Sequence, residues 1–294
     1  MDPYSEFTER LNRLAWSLWG GLGAFVWHSD TSEFAIDPEA LIIFTGSASG
    51  LDVRVQNEAL TWCIESHRLV SVPRLKNLLK DHPAWATERV LSFFATVNSF
   101  AGTRWPAARN PRTDLRPARR RKDSDLLTPG KLYLRLRGIF GVGAKAEVIR
   151  VLSTEPLREF GVSDVAKDIA FTSRNTADAF ATLRLAGLVL RSESGGAVRY
   201  RVREPEILKS FVEPLPVRSP RWSFLLRALL SIQWWFQSSE EVPGLAKPVE
   251  RARVLAGLEA DASRAGLPLL HPTLASEDAF NRWALSAVDS VLRD

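Results

Sequence analysis

Between Ser173 and Arg203 the hydrophobic period changes once, and that change limits what the stretch can fold into. In "SRNTADAFATLRLAGLVLRSESGGAVRYRV", Thr176, Phe180, Leu183 and Gly187 recur at steps of four, three and four. That is one face of an α-helix over about 173 to 186. Further on, Val198, Tyr200 and Val202 alternate with Arg199, Arg201 and Arg203, the period of a strand with one apolar face. Gly195 and Gly196 sit between two apolar runs and allow a tight hairpin tip. A helix must therefore hand over to a hairpin near Gly187.

Two shorter helices precede it. One runs from about Ala144 to Thr154 and presents Val148, Val151 and Leu152. The other, "SDVAKDIA", has Ser163 as its expected N-cap. The third helix begins with Thr172, Ser173, Arg174 and Asn175, a polar run that packing does not require. Thr172 or Ser173 can cap it by accepting from an unpaired amide. Asn175, Asp178 and Thr182 fall opposite the apolar face. Arg174 and Asn175 can make paired hydrogen bonds with guanine and adenine edges. Asp178 can accept from a cytosine amine or repel phosphate, and Thr182 suits a phosphate contact. Arg199 and Arg201, on the outward face of the hairpin, suit sequence-independent backbone contact. Asp164, Asp168 and Asp178 add negative charge near the same face.

Residues 162–202, "VSDVAKDIAFTSRNTADAFATLRLAGLVLRSESGGAVRYRV", resemble the winged helix-turn-helix domains of bacterial transcriptional regulators, such as the MarR-like and ArsR-like families. The shared pattern is loose: a short helix, a polar turn, a helix ending "L..AGLV" and a wing ending in tyrosine. With the helix before it, the resemblance spans about 144–203. It implies double-stranded DNA as partner, with the third helix read in the major groove. It also implies a homodimer on a palindromic operator.

The rest of the chain has the signature of helices. Phe7, Leu11, Leu14, Leu18 and Leu22 make one stripe within 4–24. Further helices are expected at 52–68, 71–81, 84–100, 220–238, 246–265 and 276–293, and Asp37-Pro38-Glu39 has the make-up of another helix start. The expected fold is mainly α with a small β-hairpin wing. The expected organisation is an N-terminal helical domain (1–103), a basic linker (104–127), the winged helix-turn-helix (128–203) and a C-terminal helical domain (204–294). The tryptophan-rich helix 222–236 is either a dimer seam or buried in its own domain.

The net charge of +5 is local. Residues 104–122 hold eight basic side chains against Asp114. Within them Arg119, Arg120 and Arg121 are the expected nucleic-acid contacts. A solvated loop in an arginine-rich chain, with 31 Arg to 8 Lys, explains the same charge.

No catalytic signature accompanies these features. Cys63 is the one cysteine and the four histidines share no ligand spacing, so neither a disulfide within the chain nor a metal site is expected. "FGVGAKAEV" lacks the spacing and the Gly-Lys-Ser/Thr end of a phosphate-binding loop. No cofactor and no enzyme activity are expected. "MDPYSEFTER" is not a secretory signal, and "WSFLLRALLSIQWWF" is too short and too charged to span a membrane. The function read from the sequence is a cytoplasmic, sequence-specific DNA-binding repressor. The alternative is an antitoxin or regulatory protein-interaction partner in a toxin–antitoxin or phage-defence system.

Overall fold

The computed structural model describes residues 2–24, 33–118, 125–194, 196–271 and 276–292. They form thirteen α-helices, two short 3₁₀ turns and one two-stranded antiparallel sheet. Five helices lead: α1 (Pro3–Gly21), α2 (Pro38–Ser47), α3 (Val53–Ser66), α4 (Val72–Lys80) and α5 (Ala84–Ala101). Local chemistry starts several of them. Asp2, Asp37, Asp52 and Ser71 each cap a helix through the side chain, and a proline stands in the first turn of α1, α2 and α4.

The central unit follows, with α6 (Leu132–Phe140), α7 (Ala144–Thr154), α8 (Val162–Asp168), α9 (Ser173–Leu185), β1 (Val189–Ser194), β2 (Ala197–Val202) and α10 (Pro205–Val212). The chain ends in α11 (Trp222–Ser238), α12 (Lys247–Ala265) and α13 (Glu277–Leu292). No helix among the described residues is long and apolar enough to cross a membrane.

Two hydrophobic cores organise these elements. The larger draws on both ends of the chain. Phe7, Leu11, Leu14 and Trp19 of α1 pack in it with Trp222, Leu229 and Phe236 of α11 and Phe280 and Val288 of α13. The helices on either side of the central unit therefore build one common body. The smaller core holds Val148, Ile149 and Leu152 of α7, Phe180 and Leu183 of α9, Tyr200 and Val202 of β2, and Leu208 and Val212 of α10. By its packing α10 belongs to the central unit.

Helix α6 is the seam. Leu134 faces the larger core, while Leu132, Tyr133 and Leu136 face the smaller. Between the cores lies a buried ion network. Arg74 of α4 bonds the carboxylate of Asp37 and, at 2.6 Å, that of Glu39. Arg137 of α6 reaches Glu39 at 2.7 Å and Glu147 of α7 at 2.6 Å, and Arg150 donates to Glu147 at 3.2 Å. Burial alone would push these carboxylates toward the neutral form. Arg74 outweighs that for Asp37, and Arg137, Arg74 and Arg150 together do so for Glu147, so both pKa values lie below the usual range.

Two sequence readings sharpen here. Of the two offered for helix 222–236, a dimer seam or burial, the structure shows burial, in a core wider than its own region. Trp222, Trp235 and Phe236 are buried in the common core, and Trp234 stacks on Trp85 at 5.9 Å between centroids. The stretch after α5 is also more than a linker through residue 118. Trp105 and Leu115 are buried, Asn98 bonds both the N–H and the carbonyl of Trp105 at 3.0 Å, and the Thr61 hydroxyl accepts from Ala118 N–H at 2.7 Å. It straps α3 to α5.

His82 adds a pH dependence. Its Nε2 lies 2.8 Å from the Ser47 hydroxyl, and burial, with help from the Arg227 charge, lowers its pKa from 6.5 to about 4. The unfolded chain then binds the proton more readily than the folded one. The stability owed to neutral His82 is complete above pH 6.5 and lost as pH falls toward 4. We expect a loss of about 2–3 kcal/mol over that window, reduced by His82→Gln. Urea titrations of both proteins at several pH values check it, and equal acid sensitivity in the variant would refute it.

Candidate nucleic-acid interface

Helix α9 starts where Thr172 turns the chain. Its hydroxyl accepts from Asn175 N–H at 3.2 Å, which makes Thr172 the cap and leaves Ser173 as the first helical residue. The buried face is the expected one, with Thr176, Phe180 and Leu183 in the core. Phe180 stacks on Tyr200 of β2, with ring centroids 4.4 Å apart. Gly187 does not pack on that face. It is partly exposed with φ +78°, so it terminates the helix in the left-handed region that glycine enters without a Cβ penalty.

The opposite face is open. Thr172, Ser173, Arg174, Asn175, Asp178 and Thr182 are all exposed. Among the described residues, the side chains of Arg174, Asn175 and Asp178 make no hydrogen bond or ion pair, whereas the Thr182 hydroxyl donates to Asp178 O at 2.9 Å. Leu185 continues this face and is 82% exposed.

The hairpin pairs Val189 with Val202 and Ser194 with Ala197 around a two-residue tip. Leu190 lies opposite Arg201, and Ser192 opposite Arg199, on the outward side. Phe160 extends the sheet by one residue, exchanging both backbone hydrogen bonds with Tyr200 at 2.8 and 2.9 Å. That pairing brings the chain to Gly161, which becomes the N-cap of α8 in place of Ser163. A Cβ at Gly161 would meet the Arg199 guanidinium at 3.0 Å and Asp164 at 3.1 Å, so glycine leaves room for that ion pair.

The two outward arginines thus differ. Arg199 lies 3.5 Å from Asp164, while Arg201 is exposed and without an ion pair among the described residues. Of the acids near this face, Asp164 is taken by Arg199, Asp168 by Arg221 at 3.2 Å, and Asp178 is unpaired. Arg119, Arg120 and Arg121 lie outside the described residues.

The turn between α8 and α9 is held from the other unit. Arg74 Nε donates to Ile169 O at 2.9 Å, and Asn77 Nδ2 to Ala170 O at 3.1 Å. Ala170 has φ +54°, a left-handed conformation that carries a Cβ penalty, and the hydrogen bond from Asn77 helps hold it there. Nothing in the sequence marks Arg74 or Asn77 for this task, because they lie some ninety residues upstream.

The chain matches no protein-family model, no curated protein and no solved structure.

Proposed function

We propose that the central unit is a winged helix-turn-helix that binds double-stranded DNA in a sequence-selective way. α9 is then the recognition helix and the β1–β2 hairpin the wing, and the protein is a cytoplasmic repressor that acts by binding rather than catalysis. One observation carries this reading. The N-terminal half of α9 offers Arg174 and Asn175 free of internal partners, on a helix whose other face is fully packed. A side chain already spent on an internal ion pair has less to give a base edge. Arg201 and Arg203, exposed beside it, fit the sequence-independent phosphate attraction. A homodimer would set two such helices about one DNA turn apart.

Selection of bound sequences from random DNA, followed by salt titration of the best one, tests the reading. Arg174→Ala is expected to relax base preference and cost roughly 1–3 kcal/mol on the selected site. Arg201→Ala should weaken all sequences alike and flatten the log–log salt slope by about one. Absence of enrichment, or equal loss by Arg174→Ala on selected and random DNA, would discard it.

The alternative is docking to a protein partner, as an antitoxin or a regulatory subunit does. Leu185 on α9 and Ile207 and Phe211 on α10 favour it, since each is a large apolar side chain left more than half exposed.

A further inference from the structure

A cleft of about 230 Å³ opens where α6, α7, the end of α8 and the start of α11 meet. Two side chains that line it are buried and incompletely bonded. Tyr133 is 3% exposed and its hydroxyl makes no hydrogen bond among the described residues. Arg150 is 6% exposed; its Nε donates to Glu147, its guanidinium lies 4.4 Å from the Tyr133 ring centroid, and its two terminal nitrogens have no hydrogen-bond partner among the described residues. The Ser219 and Ser223 hydroxyls, also lining the cleft, are unbonded as well. In the first turn of α11 the Trp222, Phe224 and Leu225 amides are bonded to Pro220 O and Arg221 O, which leaves the Ser223 N–H, at the positive end of a 17-residue helix, facing the same wall.

The carboxylates lining the cleft, by contrast, are paired, Glu155 with Arg158 at 2.7 Å among them. Asp37 is held by Arg74 through both oxygens, and Asp168 pairs with Arg221 at 3.2 Å. The unbonded Arg150 nitrogens can only donate, and the Tyr133, Ser219 and Ser223 hydroxyls can donate as well, so with the carboxylates paired an occupant rich in acceptors fits the cleft. A cation would find no unpaired carboxylate there. The volume is below that of a site for drug-sized ligands.

We infer that this cleft binds a small oxyanion, a carboxylate or phosphoryl group, on Tyr133, Arg150 and Ser223 at the start of α11. Such an occupant would also compete with Asp168 for Arg221, next to the turn that leads into α9. The binding itself does not depend on any reading of the α9 face, so its test needs no DNA.

The test is a thermal-shift and calorimetric titration of the full chain with inorganic phosphate and, separately, with succinate at matched ionic strength. A saturable response to one of them identifies the source of the oxyanion. Tyr133→Phe keeps the ring under the arginines and removes only an unbonded hydroxyl. Without ligand it should melt no lower than the parent, yet bind the anion about tenfold more weakly. Arg150→Lys should weaken binding further, by about thirtyfold or more, because an ammonium cannot reproduce the guanidinium fork. If Arg150→Lys does not fold, Tyr133→Phe decides alone. Failure of both anions to bind saturably, or equal affinity in the parent and Tyr133→Phe, would overturn the inference.

Discussion

Replacing Arg137 with alanine is expected to lower the stability of the whole chain by about 3–5 kcal/mol, the cost of leaving a buried charge without its partner. Arg137 is fully buried and bonds Glu39 through both terminal nitrogens, Glu147 through Nε and Nη2, and Leu69 O at 2.8 Å. Its removal leaves Glu39 with only Arg74, and Glu147 with only Arg150 for close ion pairing. Because Glu39 belongs to the common helical body and Glu147 to the central unit, the loss falls on the joint between them. Arg137→Lys keeps a charge but not the planar fork, so a smaller loss is expected. Urea unfolding monitored by circular dichroism gives the value. A loss of less than 1 kcal/mol for the alanine variant, with the same urea slope, would mean that the network does not hold the two units together.

The second large effect is expected in the common core, near the end of the chain. Phe280 of α13 is fully buried, with its ring 5.7 Å from Phe236, 6.2 Å from Trp235 and 5.8 Å from Trp283. Phe236 in turn lies 5.3 Å from Phe7 in α1. Phe280→Ala opens a cavity in the middle of this chain of rings and should cost about 3–5 kcal/mol. The informative readout is where the loss is felt. Hydrogen exchange should quicken in α1 as well as in α11 and α13, since all three lean on one core. Unchanged protection in α1 would contradict a shared core for the two ends of the molecule.

The parts of the chain that were legible in advance are those whose burial has a simple period. The stripe of α1, the face of α9 and the alternation of β2 each bury one side and expose the other, so 3.6- and 2-residue patterns reveal them. The polar start of α9 was legible for the same reason: nothing in packing requires Arg174 or Asn175, and both are exposed. Helix α6 shows the opposite case. "LYLRLRGIF" alternates leucine with Tyr133, Arg135 and Arg137, and carries no amphipathic helical stripe. It is a helix because α6 is enclosed on several sides: Leu134 enters one core, Leu136 the other, Arg137 the ion network, and Arg135 donates to Pro214 O at 2.8 Å. Arginines that read as solvent-facing are buried because carboxylates and carbonyls from distant segments meet them.

Sequence alone thus determined most of the local elements: the helices with an apolar stripe or a marked start, though not α6 or α10, the point where α9 yields to a hairpin, and the side chains of α9 left over by packing. Only the tertiary structure decided that the two flanking helical regions share one core, that the stretch through residue 118 is a strap, and that the 222–236 helix is buried. It also decided that Arg74, itself held by Asp37, and Asn77 grip the turn between α8 and α9. The physical reason is range. Caps, periods and turns are set by neighbours a few residues away. Burial of Arg74 and Arg137 instead depends in part on Asp37 and Glu39, 37 and 98 residues distant, and no local pattern records that they will arrive.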